Sequence, residues 1–480
     1  MKLGNSYHIF MFPFQWSIIG TEQDEFIFQT DLNNIICDNF GNWQRKTEET
    51  NEKDKENLYN EKNFFYEFVH PAVYDDGENE SLVHHYERSE PKQNNVEYVI
   101  KIRNGKEYRL KVDTMNLNFY STGIGVLSFY LFNDKYDKPD DILKINQYGR
   151  RVYPPYLNDI NNRYEIAEYI AIENLAIGSY YENFNNYRPE MSNKPCPIIE
   201  KLIADLANNI KIKSVIDDRM YVMSWFRNID IPNGYKYKKF ENTNLYKEDF
   251  WYRYIFIDNS LTCQNEEMRK NYVKEASYCR WQNYGTVYGT SRYSFVMLTN
   301  AGESEAYLLD YFQTMYVRMA ELCLIQRAST LRFSSEVTSV SNLEMTDKQL
   351  SKRIRSLYQE YIRFINQIHF REVSAQDQGI ELYEKLYLSN KINERVEKLD
   401  SEIEELHNYL SLKEASIVNQ EMSTLTIIAT IFVPVSFVTG FFGMNALNEI
   451  TSKHVYTLLG VLIVSLFFFI ILKNKSKRKK

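Results

Sequence analysis

The chain is poor in cysteine and lacks the sequence motifs of the common enzyme classes. Its five cysteines lie far apart, without a C-x-x-C pair: Cys37, Cys196, Cys263, Cys279 and Cys323. This spacing favours neither a disulfide framework nor a zinc ribbon, so we expect reduced thiols in a cytosolic domain. A Walker A loop, an H-E-x-x-H motif and a nucleophile elbow are also missing. We therefore expect a protein that is not an enzyme.

The N-terminal segment lacks the features of a signal peptide. It reads MKLGNSYHIFMFPFQWSIIG, with one lysine, an internal Pro13 and Gln15, and no cleavage site made of small residues. This composition predicts a β-strand.

Basic residues are in the minority until the last eight positions. Residues 473–480 hold six of the basic side chains, and the rest of the chain has 64 acidic and 51 basic side chains, a formal charge of −13. An acidic body suits a path for cations better than a nucleic-acid surface. No direct nucleic acid binding is expected.

Two long apolar stretches lie near the C-terminus. Residues 425–442 contain no ionisable side chain, and as a helix they cover about 27 Å, close to the thickness of a hydrocarbon core. Residues 456–472 are near the lower length limit, but their centre VLIVSLFFFIIL is apolar on all sides. Both stretches are predicted to cross a membrane.

The basic cluster at residues 473–480 indicates the orientation. Cationic residues that flank a span remain on the cytoplasmic side, which places the C-terminus inside. Two spans then return the chain to that side, so the N-terminus is also cytoplasmic and residues 444–455 face outward. We expect a multi-pass protein of the inner (plasma) membrane.

The residues ahead of the first span carry signals for both strands and helices. Alternating apolar residues flank Asn104-Gly105 and predict a β-hairpin. Further strands are predicted at residues 123–132, 251–257 and 293–298, and helices at residues 163–175 and 197–210. Residues 43–62 and 75–95, the latter with His84-His85, are polar and predicted to lie at the surface.

From residue 303 onward the apolar periodicity is helical. Apolar residues recur at steps of three and four within residues 308–325, 350–368 and 392–410. The third helix is predicted to begin near Ile380, and neither proline nor glycine separates it from the first span. We therefore expect a continuous stalk helix that enters the membrane.

Together these signals predict an α+β cytoplasmic domain followed by long stalk helices and a two-helix C-terminal transmembrane hairpin. The expected divisions are a mixed α/β domain at 1–302, a helical region at 303–423, a first transmembrane helix at 424–443, an external loop at 444–455, a second transmembrane helix at 456–472 and a basic tail at 473–480.

The run TLTIIATIFVPVSFVTGFFGMN, residues 424–445, strongly resembles the CorA family of divalent cation channels. Asn419, Met422, Leu425, Pro434, Gly440 and the tripeptide Gly443-Met444-Asn445 stand in the order and spacing of that family. A short turn to a second apolar helix that ends in lysines also matches.

The resemblance implies a funnel-shaped homopentamer in a lipid bilayer, with the first span lining the pore. The expected pore wall and gate, spaced by three or four residues, are Asn419, Met422, Leu425, Ala429, Val433, Ser436 and Gly440. Thr426, Thr430 and Thr439 also lie in this span, and polar groups inside a membrane are expected to face a pore or a partner.

Gly443, Met444 and Asn445 are the expected selectivity filter. Mg²⁺ gives up its water shell reluctantly, and a ring of Asn445 amides and Gly443 carbonyls can hydrogen-bond to those waters. Asn445 is thus the expected metal contact, and Glu449 would raise the local cation concentration. Mg²⁺ is the default ion, with Zn²⁺, Co²⁺ or Ni²⁺ as alternatives.

In the CorA family, divalent cations bound between cytosolic domains hold the pore shut. Candidate ligands for such a regulatory ion are Glu303, Glu305, Asp310, Glu402, Glu404 and Glu405. The alternative interpretation is that these acids form solvated helix faces.

Residues 121–131, 147–155 and 280–294 are similar to CorA-like membrane effectors encoded beside type III CRISPR systems, which a nucleotide second messenger triggers. Arginine can bind phosphate and aromatic rings can stack on a base. The candidate nucleotide-binding residues are Arg150, Arg151, Tyr148, Tyr153, Arg280, Trp281, Arg292 and Tyr293. Alternatively, these residues belong to a folded core.

Three functions therefore remain open. The first is a cation channel gated from its cytoplasmic domain, and the second is an antiviral effector opened by a nucleotide. The third is a membrane-anchored scaffold without transport, in which Gly443 and Asn445 only form a turn.

Overall fold

The computed structural model describes most of the chain in separate segments. These are residues 4–18, 31–35, 42–47, 55–77, 81–88, 90–103, 105–152, 166–176, 178–184, 197–207, 209–217, 219–227, 249–258, 261–300, 302–342 and 346–443, with helical positions at 452–453, 455–457, 459–461, 463–464 and 467. Two compact units are present. The first contains Met1–Glu344 and Ser356–Asp400, and the second contains Met345–Arg355 and Ser401–Lys480.

The first unit is built on one large β-sheet. Its strands are β1 (Ser6–Ile18), β2 (Trp43–Arg45), β3 (Val83–Arg88), β4 (Glu97–Ile102), β5 (Glu107–Tyr120), β6 (Ile124–Asn133), β7 (Ala167–Leu175), β8 (Gly178–Asn183), β9 (Ile210–Ser214), β10 (Tyr221–Arg227), β11 (Ser277–Tyr278), β12 (Thr286–Ser291) and β13 (Ser294–Thr299).

The strand order of this sheet is β11-β12-β13-β10-β1-β6-β5-β4-β7-β8. In addition, β9 pairs with β1, β3 pairs with β5, and β2 pairs with β3. Strands β10 and β13 are parallel, with Val222 opposite Ser294, whereas β1 is antiparallel to both β10 and β6. The strand nearest the N-terminus therefore lies in the middle of the sheet.

Strand β1 tolerates a proline at its centre because of how its neighbours are arranged. Along one edge, β10 pairs with residues up to Met11 and β9 pairs from Phe14 onward. Pro13 lies in the gap between these two partners, where a missing backbone N–H is tolerated. The remaining residues of β1 are almost all buried, which agrees with its apolar composition.

Twelve α-helices are described. They are α1 (Lys55–Phe64), α2 (His70–Val73), α3 (Pro91–Asn94), α4 (Pro139–Gly149), α5 (Pro197–Ala204), α6 (Asp249–Phe256), α7 (Glu266–Ala276), α8 (Tyr307–Tyr311), α9 (Val317–Asn342), α10 (Asp347–Gln367), α11 (Asp377–Ser389) and α12 (Ile392–Gly443). A π-helical segment, Phe312–Tyr316, joins α8 to α9.

Several sequence predictions are confirmed. The N-terminal segment is strand β1, the hairpin is β4 with β5, and residues 123–132 and 293–298 correspond to β6 and β13. Asn104 of the predicted turn lies outside the described residues. The predicted helix at 197–210 is confirmed as α5, although it ends at Ala204.

Two segments have the opposite structure from the one predicted. Residues 167–175 form strand β7, paired with β4 and β8, and residues 249–256 form helix α6. In α6, Trp251, Tyr252, Tyr254 and Ile255 are all buried. These buried positions recur at steps of one and three, which is helical spacing. The segment is short, however, and its aromatic composition is typical of strands.

The two polar stretches predicted at the surface are partly built into the fold, so that prediction is wrong. Trp43 lies in β2, and its indole Nε1 donates to the carbonyl of Leu202 at 2.9 Å. His84 lies in β3 and is 3% exposed, and burial lowers its pKa to about 4. Polar residues are buried here because the strands that carry them pair into the sheet.

The third predicted helix is in fact two helices. Helix α11 ends at Ser389, and α12 begins at Ile392 after Lys391 adopts a left-handed backbone with φ of 53°. From Ile392 the helix is continuous to Gly443, so the predicted continuity between stalk and apolar run is confirmed. Cys263, Cys279 and Cys323 form no disulfide bond among the described residues, and Cys37 and Cys196 lie outside them.

Candidate functional sites: the apolar helix and two pockets

Helix α12 combines a buried apolar seam with a long exposed apolar run. Leu399, Ile403 and Leu410 are 1–3% exposed, whereas Met422, Leu425 and other apolar residues beyond them are more than half exposed. Its most apolar 18-residue window has a mean hydropathy of 1.8. Within the described part of the chain, this is the helix that is long and apolar enough to cross a membrane.

The residues predicted to line a pore all lie on the more exposed side of α12. The seven predicted positions from Asn419 to Gly440 are exposed. On the opposite side of the helix, four apolar residues are half-buried: Ile427, Ile431, Val435 and Val438. In this single chain, the predicted pore wall is therefore the face of α12 that lacks cover.

The threonine hydroxyl groups of the first predicted span donate hydrogen bonds to backbone carbonyls of the same helix. The hydroxyl of Thr426 donates to the carbonyl of Met422 at 2.8 Å, that of Thr430 to the carbonyl of Thr426 at 2.7 Å, and that of Thr439 to the carbonyl of Val435 at 3.0 Å. Such bonds to the preceding turn remove the demand for a polar partner. These three threonines therefore do not by themselves require a pore or a polar partner, and the pore wall remains a prediction from the sequence.

Helix α12 ends at Gly443, the first residue of the predicted filter. Met444, Asn445 and Glu449 lie outside the described residues, as does the basic tail at 473–480. The selectivity filter therefore remains a prediction from the sequence.

The acidic residues predicted to hold a regulatory ion do not converge in the single chain. Within the described segments, no group of three or more His, Cys, Asp or Glu side chains is arranged to hold a metal ion. The Oε2 atom of Glu305 accepts a hydrogen bond from the backbone N–H of Gly302, and Glu303 lies 3.8 Å from Arg227.

The predicted nucleotide-binding residues are divided between two places in the first unit. One is a cluster around the ring of Tyr293, which we call the arginine cluster. The guanidinium carbons of Arg150, Arg219 and Arg327 lie 6.0, 5.6 and 5.5 Å from the centre of this ring. The structure thus brings together Arg150 and Tyr293, which the sequence analysis had placed in different segments, and adds two arginines that were not among the candidates.

The arginine cluster is rich in positive charge. Burial lowers the pKa of Arg327, and although the nearby Tyr293 raises it, the positive charges of Arg395 and Arg292 lower it further. Arg150 is buried, and its Nη2 donates to the carbonyl of Ile257 at 3.3 Å. Asp217 pairs with Arg219 at 2.9 Å. Several guanidinium groups close to one ring favour the binding of an anion.

A cavity of about 510 Å³ opens beside this cluster. Its polar lining includes Arg292, Lys385 and the hydroxyl-bearing Thr290, Ser291 and Ser389. Phe256, Tyr272 and Tyr293 supply aromatic surface, and Glu275 supplies an acid. A cavity of this size, lined by both cations and aromatic rings, can hold a phosphate-bearing aromatic ligand.

Arg280 and Trp281 lie apart from the arginine cluster. Arg280 Nη1 contacts Glu381 Oε1 at 2.6 Å, and its guanidinium lies 5.8 Å from the ring of Trp281. Trp281 lines a separate cavity of about 260 Å³. Tyr148 is buried, Arg151 forms an isolated β-bridge with Arg219, and Tyr153 lies outside the described residues.

Arg219 and Arg327 escaped prediction because only tertiary structure joins them to Tyr293. A partial signal exists for Arg327, which lies in a helix close to apolar positions such as Ile325 and is itself buried. An arginine in a buried stretch of helix is uncommon unless it has a partner or a function.

Residues 328–474 match the family model of the CorA-like Mg²⁺ transporter protein. The C-terminal region is CorA-like. The match includes most of α9, all of α10 to α12 and the Gly443-Met444-Asn445 tripeptide, and it leaves the sheet-bearing residues before 328 outside. No curated protein matches the chain.

Proposed function

We propose that the chain is one subunit of a homopentameric divalent cation channel of the CorA superfamily, gated from its cytoplasmic domain, with Mg²⁺ as the default ion. The CorA-like match at residues 328–474 carries this proposal. The exposed face of α12 supports it, because an apolar helix of this length can cross a membrane, and copies of the helix or lipid would cover its exposed apolar residues.

In the proposed pore, five copies of α12 surround water. Asn445 amides and Gly443 carbonyls at the outer mouth hydrogen-bond to the hydration shell of the cation, so the ion enters without losing all its waters. Met422 and Leu425 form apolar rings that close the path by excluding water, and Asn419 forms a polar ring at the cytosolic mouth. Residues 456–472 form the outer ring of helices.

Ion flux into liposomes tests this proposal. Purified protein should admit Mg²⁺, and Asn445→Ala should lose most of that flux while still inserting into the membrane. Asn408→Ala is a matched control, because Asn408 is an exposed asparagine of α12 ahead of the apolar run. Unchanged flux in Asn445→Ala contradicts the filter assignment, and absence of flux under any condition favours a membrane-anchored scaffold.

A second function is favoured by the arginine cluster and its cavity. In this proposal, a nucleotide second messenger binds the first unit and opens the channel as part of antiviral defence beside a type III CRISPR system. Arg292 and Lys385 would contact phosphate, and Tyr272 or Tyr293 would stack on a base. A metal-homeostasis channel needs no such cavity.

Nucleotide binding is best tested at the exposed Arg292, since a change at buried Arg150 would damage the fold. Calorimetry with cyclic di-AMP and ATP should detect binding to the intact protein and a loss of at least about tenfold in affinity for Arg292→Glu. Arg371→Glu, at another exposed arginine, is the control. Equal affinity in all three proteins removes this cavity as the nucleotide site.

A further inference from the structure

The cavity of about 260 Å³ beside Trp281 has walls made mostly of aromatic side chains, and we call it the aromatic pocket. Its six rings come from Trp281, Tyr284, Tyr288, Tyr307, Tyr311 and Tyr316. Trp281 immediately precedes a 3₁₀ turn that contains Tyr284, and Tyr288 lies in β12. Tyr307 and Tyr311 lie in α8, and Tyr316 lies in the π-helical segment. Separate parts of the chain therefore converge on one cavity.

A glycine fixes the position of the 3₁₀ turn. Gly285 has a φ of 76°, in the left-handed region, and a Cβ atom at this position would lie 1.9 Å from Oδ1 of Asn300. Only glycine fits there without moving the chain. This close approach sets Trp281 and Tyr284, whose ring centres are 5.9 Å apart, at one wall of the aromatic pocket.

Among the described residues, the lining of the aromatic pocket includes the acid Glu305 and neither lysine nor arginine. A cation beside it, Arg280, lies over the ring of Trp281 and contacts Glu381 at 2.6 Å and Asp377 at 3.7 Å. Burial raises the pKa of Tyr316 to about 12, so its phenol is uncharged near neutral pH. Ring faces and one acid attract positive charge.

We propose that the aromatic pocket binds an organic cation of the quaternary ammonium class. The rings supply cation–π contacts on several sides, and Glu305 supplies the counter-charge at the rim. A metal ion is disfavoured, because the lining offers too few oxygen ligands for a hard cation. A neutral aromatic ligand would leave Glu305 without a charge partner in the pocket.

The aromatic pocket lies next to the start of helix α9, so a bound ligand would contact that end of the helix. Tyr311 immediately precedes the π-helical segment Phe312–Tyr316, and Tyr316 is its last residue. This segment leads directly into α9. Single π-helical turns inside α-helices often occur at functional sites. A cation that packs on these two rings therefore acts on the start of α9. This site is independent of the proposed transport activity.

Choline and its uncharged isostere 3,3-dimethylbutan-1-ol form a matched pair of probes. Tryptophan fluorescence reports binding, because Trp281 lines the pocket while Trp16, Trp43, Trp225 and Trp251 are buried. Choline should bind the full-length protein at least about tenfold more tightly than the isostere. Equal binding of the two, or no binding of choline, overturns the proposal.

Variants locate the site. Tyr311→Ala should weaken choline binding roughly two- to thirtyfold, which corresponds to the loss of one cation–π contact. Tyr272→Ala is the control, since Tyr272 and Tyr311 are 41% and 40% exposed but Tyr272 lines the other cavity. Glu305→Gln retains an acceptor for the Gly302 N–H and should weaken choline but not the isostere. Equal effects of the two tyrosine variants place the binding elsewhere and overturn the assignment.

Discussion

Arg332 is a buried cation held between carboxylates of two helices. Its Nε lies 2.7 Å from Glu336 in α9 and its Nη2 lies 2.5 Å from Glu360 in α10, and Nη1 donates to the carbonyl of Thr122. The side chain is 1% exposed. Loss of one member of such a group leaves charge buried without compensation.

We expect Arg332→Met to lower the free energy of unfolding by roughly 3–5 kcal/mol, because Glu336 and part of Glu360 lose their counter-charge. Arg355→Met is the control. Arg355 is 61% exposed in its pair with Glu414, so its loss should cost about 0–1 kcal/mol. Urea denaturation followed by circular dichroism measures both, and equal losses would contradict the role given to burial.

His8 makes the stability of the sheet depend on pH. Its ring nitrogens lie 2.7 Å from Asn146 Oδ1 and 2.8 Å from Ser6 Oγ, and burial lowers its pKa from 6.5 to about 4. The unfolded chain therefore takes up a proton near pH 6.5, while the folded chain resists protonation until about pH 4. Stability that is present above pH 6.5 is lost as the pH falls toward 4.

We expect His8→Gln to remove part of this pH dependence, up to ~3 kcal/mol between pH 7 and pH 4. The measurement is the urea concentration at the unfolding midpoint, determined at several pH values. The slope of this midpoint against pH is compared between variants, so that an equal loss of stability at every pH does not affect the result. His407→Gln, at a half-exposed histidine of α12, is the control. A wild-type slope in His8→Gln would show that other groups set the acid response.

At the scale of elements, the sequence predicted best where periodicity was strong. Leu399, Ile403 and Leu410 were expected to form an apolar seam and are buried in α12. Helix α6 was mistaken for a strand because it is only 8 residues long and rich in aromatic side chains, which are typical of strands. Strand β7 was mistaken for a helix because its structure depends on pairing with β4, which is distant in the sequence. The local spacing of apolar residues carries no information about that pairing.

The candidate sites show the same division. The exposed face of α12 follows from spacing along one helix, so the sequence could define it. The arginine cluster joins Arg150, Arg219 and Arg327 around Tyr293 from four separate elements or loops, so no local pattern could reveal it. The aromatic pocket was likewise missed, apart from Trp281, because its rings meet only after folding.

Cysteine scanning of α12 tests which side of the helix faces water. In a background without native cysteines, Val433→Cys and Ser436→Cys should react with a charged thiol reagent and block ion flux. Ile431→Cys and Val438→Cys, on the half-buried side, should react at least about tenfold more slowly, because a charged reagent does not enter a lipid or packed environment. Equal rates at all four positions would contradict a pore wall on the exposed face.

At the scale of the molecule, the proposed pore requires several copies of the chain. Leu425, Phe432, Val433 and Phe437 of α12 are 61–75% exposed, a degree unusual for a protein that acts alone in water. Native mass spectrometry in detergent should therefore show five copies of the 57.2-kDa chain, whatever the protein concentration above the detection limit. A monomer or dimer as the main species would contradict the proposed assembly.

The central position of β1 also has a consequence for biosynthesis. Ser6–Ile18 leaves the ribosome first among the strands, but its two long neighbours begin only at Ile124 and Tyr221. Until both have been translated, the growing polypeptide presents the apolar run FMFPF with at least one unpaired edge. We therefore expect nascent chains that end before Tyr221 to bind a ribosome-associated chaperone more strongly than longer ones.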